Sequence, residues 1–308
     1  MGTVRDLRAG RSNQPWIDFL DNEIATADPQ TSRHAIAKIF RRSLFSTRGC
    51  LPSDAALQLD TYYQETYLPS NPELKDQDDK GMVAFLAGLY GLVVDLMFYI
   101  PYHHGLQYTL IDFLYELRHL PPKEIKFEGE TCLIYEEEPV LEKMMNEKWE
   151  VNNRTDLRAP PPAATITKDE PDPEELEKKC SAWVNVSAFA ARCIEAGFAD
   201  HFKEKCTIPC MDIAKALEED HPPGIKRNCL IRVAVQYIMI AGAKICQQKI
   251  GKAKTEEQQM WLGKWKIWAE KLLQLAEQNE LEPGLTSEVR EAHGTMVALQ
   301  PRLFKFKR

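Results

Sequence analysis

Around Pro101 the sequence gathers Asp95, Tyr99, Tyr102, His103, His104, Tyr108 and Asp112 near one corner of the chain. Imidazole titrates near neutral pH, and a neighbouring carboxylate can fix its tautomer, so a His–Asp pair has the chemistry for general acid–base catalysis. Asp95, His103 and Asp112 are therefore the candidate catalytic residues. Tyr99, Tyr102, His104 and Tyr108 are the candidate binding residues. A structural reading stands beside this one and leads it. Adjacent histidines at a helix start can cap that helix or satisfy backbone groups freed by the proline, and Asp112 can simply face water.

Other chemistries are weaker. His201, Cys206 and Cys210 are zinc-ligand types, but three residues separate the two cysteines and no second ligand pair follows, so no metal is expected. Lys75-Asp76-Gln77-Asp78-Asp79 resembles the Asp-x-Asp-Asp acid motif of protonation-initiated terpene cyclases, which are much longer chains. The Asn/Asp-x-x-x-Ser/Thr-x-x-x-Glu helix of ionisation-initiated cyclases is missing, so a polar loop and helix start is expected instead. The sequence has no Gly-rich phosphate loop, Gly-x-Ser-x-Gly elbow or His-Glu-x-x-His, and no cofactor is expected.

The elements that would position these residues are helical almost throughout. Asn71-Pro72-Glu73, Asp172-Pro173-Glu174-Glu175 and Thr255-Glu256-Glu257-Gln258 read as helix starts, the last two as capping boxes. Apolar periodicity predicts helices over 15–27, 53–67, 72–99, 103–119, 138–152, 173–197, 209–220, 226–250, 255–280 and 286–299. From Thr31 another helix buries Ile36, Phe40 and Leu44 and turns His34, Lys38, Arg41 and Arg42 outward. On the helix after Pro101, Leu106, Leu110, Phe113 and Leu117 form the buried stripe, with Tyr108, Asp112, Tyr115 and His119 opposite. Trp261, Trp265 and Trp268 recur at helical spacing and read as a packing seam. The stretch 229–246 is nearly all apolar, so Arg232, Gln236 and Lys244 need partners or a route to water.

Gly81–Ile100 is long and apolar enough to span a bilayer, but Asp95 sits within it, the flanks lack aromatic and basic anchors, and no second comparable span is expected. A buried core helix is the expectation. After the double proline at 121–122 a short extended piece is predicted over 124–135, and residues 154–172, rich in Pro and small polar residues, read as a flexible linker. The expected organisation is a tail at 1–12, a helical half at 13–153, the linker, a second half at 173–300 packed on the first, and a basic tail at 301–308. The fold class is all-α: an irregular multi-helix bundle or stacked helix pairs.

With 39 basic and 46 acidic residues among 308, the net charge of −7 disfavours nucleic-acid binding. Eight cysteines at no framework spacing, and no secretory or mitochondrial leader pattern, point to free thiols in the cytoplasm or nucleus.

Several stretches together resemble a fungal family known as domain of unknown function 3632: IPYHHGLQYTLIDFLYELRHLP (100–121), AWVNVSAFAARCIEAGFAD (182–200) with ALEED (216–220), AVQYIMIAGAKI (234–245) and KWKIWAEKLLQLAEQ (264–278). Gly105 departs from the family pattern, which has Pro after the His, and 122–150 matches poorly. The resemblance implies a mostly helical intracellular fungal protein and carries no activity onto any residue. The functional expectation is a non-catalytic interaction protein with a protein partner. The alternative is a helical small-molecule-binding protein or enzyme, of fungal secondary metabolism, with an apolar pocket near Asp95, Tyr99, His103 and Asp112.

Overall fold

A computed structural model describes residues 14–28, 31–45, 51–71, 78–135, 139–154, 172–198, 207–278 and 280–304. Of these residues 77% are helical, so the chain is all-α apart from one small hairpin. The helices are α1 (Pro15–Thr26), α2 (Ser32–Ser43), α3 (Pro52–Tyr62), α4 (Leu68–Ser70), α5 (Asp78–Met97), α6 (Leu106–Arg118), α7 (Pro139–Arg154), α8 (Pro173–Glu195), α9 (Thr207–Glu218), α10 (Ile225–Ile245), α11 (Glu256–Glu277) and α12 (Pro283–Leu299). A π-helical turn over Tyr63–Tyr67 joins α3 to α4, and another over Cys246–Ile250 ends α10. The two strands are β1 (Lys123–Phe127) and β2 (Glu130–Ile134).

Two helices are apolar nearly all round, and such helices belong at the centre of a core. On α5, Phe85, Leu89, Tyr90, Leu92, Val93, Leu96 and Met97 are fully buried, with α2, α7, α8 and β1 packed around it. On α10, Val235, Tyr237, Ile238 and Ala241 are equally buried, enclosed by α8, α9 and α12. By length and composition both Lys80–Met97 and Ile225–Ile250 could cross a membrane, which corrects the expectation of a single such span. In this fold 67% of the first stretch and 72% of the apolar 18-residue window within the second are buried. Helix α8 joins the centres, since it packs on α10 as well as on α5 and α6, and one continuous hydrophobic cluster runs through both halves.

Side chains cap the starts of α2, α8 and α11. Thr255 and Gln258 form a reciprocal capping box at the start of α11, and Asp172 accepts the Glu174 N–H at α8 without completing one. The helix start expected at Asn71 falls on residues 72–77, which, with Lys75, Asp76 and Gln77 of the acidic motif, lie outside the described residues; the Asn71 side chain donates to the Tyr67 carbonyl at 2.7 Å at the end of α4. The extended piece is an antiparallel hairpin with Lys123 opposite Ile134 and Phe127 opposite Glu130. Its two turn residues, Glu128 and Gly129, take φ of 51° and 89°, the left-handed pair that matches strand twist. On α2, Ile36, Phe40 and Leu44 are buried as expected, but His34 is only 7% exposed. It lies one turn before the buried Ala37, so it belongs to the inward face and not to the basic outer stripe.

Trp265 and Trp268 are buried on α11 with Leu272 and Leu275, confirming the packing seam. Their indole N–H groups donate to the Met296 carbonyl at 3.2 Å and to Glu218 Oε1 at 2.8 Å. The runs 1–12 and 155–171, together with Cys50, His201, Cys206 and the tail from 305, lie outside the described residues.

Candidate functional site

Pro101 ends the α5 hydrogen-bond ladder because it has no N–H, and the chain turns through Phe98–Gly105 before α6 begins. A turn packed inside a fold must still satisfy its carbonyls. Three side chains do this. Asn185 on α8 donates through Nδ2 to the Phe98 carbonyl at 3.2 Å and accepts the Tyr102 N–H at 2.8 Å. Gln107 Nε2, fully buried on α6, donates to the carbonyls of Ile100 at 3.0 Å and Asn185 at 3.1 Å. Arg192 donates to Tyr102 O at 2.9 Å, to Gln107 Oε1 at 2.8 Å and to Ala188 O at 3.1 Å, and its guanidinium lies 4.6 Å from the centre of the Tyr108 ring. Sequence reasoning missed this network. The available signal was the presence of Asn185, Ser187 and Arg192 inside the apolar run of α8.

The residues singled out around Pro101 divide between two surfaces. On the side facing α1 and α2, Asp95 Oδ2 accepts from Arg33 Nη2 at 2.8 Å, and Arg33 also pairs with Glu23. Burial works against the Arg33 charge, but its hydrogen bonds to Glu23 and Asp95 outweigh it and raise its pKa above the ordinary value. Tyr99 stacks on Phe19 with ring centres 4.7 Å apart, and His104 packs on Trp16 at 4.8 Å. His104 Nδ1 also accepts the Leu106 N–H at 3.2 Å, so this histidine does cap the start of α6. Asp112 is exposed on the α6 face that carries Tyr108 and Tyr115, while Leu110, Phe113 and Leu117 are buried behind it.

Tyr102 and His103 point the other way. Their rings meet edge to face at 5.1 Å, and both line a cleft of about 360 Å³ between the first half of α8 and the start of α10. Its walls include Glu177, Ser181 and Val184 of α8, Ile225, Asn228 and Arg232 of α10, and Glu282, which precedes α12. Arg232 Nη2 reaches Glu282 Oε2 at 3.2 Å and Asn228 Nδ2 reaches Glu282 Oε1 at 3.2 Å. Behind them Glu288 Oε1 accepts from the Tyr102 hydroxyl at 3.0 Å, and Gln236 donates to Oε2 at 3.4 Å. Burial first, and then the charge of Glu288, push the Tyr102 phenol above its usual pKa. Thus Arg232 and Gln236, which needed partners on an apolar helix, find them in the carboxylates of the α12 start. Lys244 is half-buried at the other end of α10.

The cleft lining also includes Cys180 and Cys229. Cys210 is buried on α9, away from that lining. Among the described residues, no three His, Cys, Asp or Glu side chains are grouped to hold a metal ion.

No curated protein and no solved structure matches the chain. A family model described as "Protein of unknown function (DUF3632)" matches residues 90–272, from the middle of α5 through the Pro101 corner, α8 and α10 to α11, and the chain belongs to that family.

Proposed function

We propose that the chain is a non-catalytic intracellular interaction protein, and that the cleft between α8 and α10 receives a segment of a protein partner. The observation that supports this reading is the character of the cleft. It is open, lined by Val184 and Ile225 beside His103, Glu177 and Arg232, and the Arg232 charge is paired within the wall with Glu282. A surface of mixed polarity with an apolar centre is the usual anatomy of a protein interface. The six described cysteines are free thiols, which fits a reducing compartment, and the acidic balance fits a partner other than nucleic acid.

A second reading has its own support, because a cleft of about 360 Å³ with polar groups on an apolar wall also has the dimensions of a small-molecule site. The pocket then lies at Tyr102 and His103. A photo-crosslinking amino acid at Ser181 separates the two readings. Capture of protein from Ser181 but not from exposed Ile267, lost on Arg232→Glu, is the expected result. Equal capture from both positions would sink the docking reading. A small molecule retained by wild type in native mass spectrometry, and lost on Arg232→Glu, would establish the second.

A further inference from the structure

Six described cysteines are free, and two of them meet in one place. Cys180 comes from the first half of α8 and Cys229 from the start of α10, the helix packed most extensively against it. The Cys229 thiol donates to the Cys180 carbonyl oxygen at 3.5 Å. Both residues are less than 10% exposed, and both are among the residues that line the open cleft.

We infer that Cys180 and Cys229 form a reactive dithiol, a site at which a small hydroperoxide is reduced and the two thiols are joined as a disulfide linking α8 to α10. This inference concerns the thiols themselves and does not depend on what the cleft binds.

The two sulfurs have different roles. The neighbouring Cys229 thiol favours the Cys180 thiolate against the cost of burial, and Lys226 and Arg232 add positive charge, so the Cys180 pKa is lowered. Cys229 is more deeply enclosed, and its pKa is raised. Cys180 is therefore the attacking sulfur. Its thiolate displaces the distal half of the peroxide, the O–O bond breaks, and the leaving hydroxide or alkoxide takes a proton, giving a sulfenic acid. Cys229 sulfur then attacks the Cys180 sulfur; the S–O bond breaks, and hydroxide leaves with the Cys229 proton as water. Overall two thiols lose two electrons and two protons, and the peroxide is reduced to water and water or an alcohol. Cys246 supplies an internal reference, since burial pushes its thiol up to about 12 and leaves it inert at neutral pH.

The test uses the full chain treated with hydrogen peroxide, alkylated under denaturing conditions and digested without reduction. The expected result is about a tenfold rise in a peptide pair joining Cys180 to Cys229, removed by dithiothreitol, with Cys246 alkylated as in the untreated protein. In Cys229→Ser the cross-link is lost and Cys180 stops at the sulfenic acid, which a 1,3-dione such as dimedone traps. Cys180 and Cys229 alkylated after peroxide as fully as before it would overturn the inference in wild type, with no variant required. So would a disulfide from Cys180 to any other cysteine.

Discussion

Asn185 holds Tyr102 across 83 residues of sequence: its Oδ1 accepts the Tyr102 backbone N–H at 2.8 Å, while its Nδ2 donates to Phe98 O, so one carboxamide closes both ends of the Pro101 turn. An Asn185→Leu side chain has similar size but offers neither bond, leaving a backbone donor and an acceptor in a largely dry corner. The expected loss is about 2–3 kcal/mol in urea denaturation, the cost of stranding buried polar groups. A loss under about 0.5 kcal/mol, the range of ordinary surface changes, would show that the turn holds without the clasp.

Asp95 is paired with Arg33, and the effect of its substitution is expected to act through that pair. Asp95→Asn is expected to cost about 1–2 kcal/mol, between an exposed ion pair and a buried charged hydrogen bond, because the two side chains are 20% and 31% exposed. A double-mutant cycle with Arg33→Met should return a coupling of about 1 kcal/mol. Additive losses would show that the 2.8 Å contact carries no net energy. Asp112→Ala, on the exposed face of α6, is expected to change stability by less than about 0.5 kcal/mol.

The contrast between these residues shows what the sequence holds and where it stops. Helix positions follow from apolar spacing, because burial of a stripe at period 3.6 is a local property, and α6, α8 and α11 all sit where that spacing puts them. Capping is equally local, as Thr255 and Gln258 demonstrate. The direction in which Asp95 faces is not local. It depends on Arg33, 62 residues earlier, and on the way α2 lies along α5. For the same reason Cys180 and Cys229, 49 residues apart, read separately as small core residues. Arg232 and Gln236 were the partial exception, since polar side chains on an apolar helix announce that partners exist without naming Glu282 and Glu288.

The contact between the two halves yields a prediction of its own. Arg192 and Asn185 of α8 hold the Tyr102 backbone and Gln107 of the first half, and α8 also packs on α5 and α6. A specific protease site inserted within 155–171 and then cut should therefore leave two pieces that co-elute in size exclusion and melt in one transition. Two pieces that separate without denaturant and keep their helical circular dichroism would show two independent domains instead.

Glu218 ties α9 to α11 and makes part of the stability depend on pH. Its Oε1 accepts from Lys264 Nζ at 2.7 Å and from the Trp268 indole at 2.8 Å, and its Oε2 lies 3.0 Å from the same Lys264. Burial alone raises its pKa, but the hydrogen bonds from Lys264 and Trp268 and the lysine charge outweigh that, and the folded value is lowered. An unfolded chain then binds the proton at a higher pH than the folded one, near the ordinary glutamate value of about 4.3. Between the two values the unfolded state carries more protons, so stability rises with pH there; the contribution is complete above the unfolded value and disappears as pH falls through the folded one. Glu218→Gln retains an acceptor for Trp268 but has no charge to titrate. Wild type should therefore exceed this variant in urea-denaturation stability at pH 7, with the gap closing as pH falls below the usual carboxylate range. A gap that persists unchanged at acid pH would assign the effect to altered packing at Trp268 and not to the ion pair.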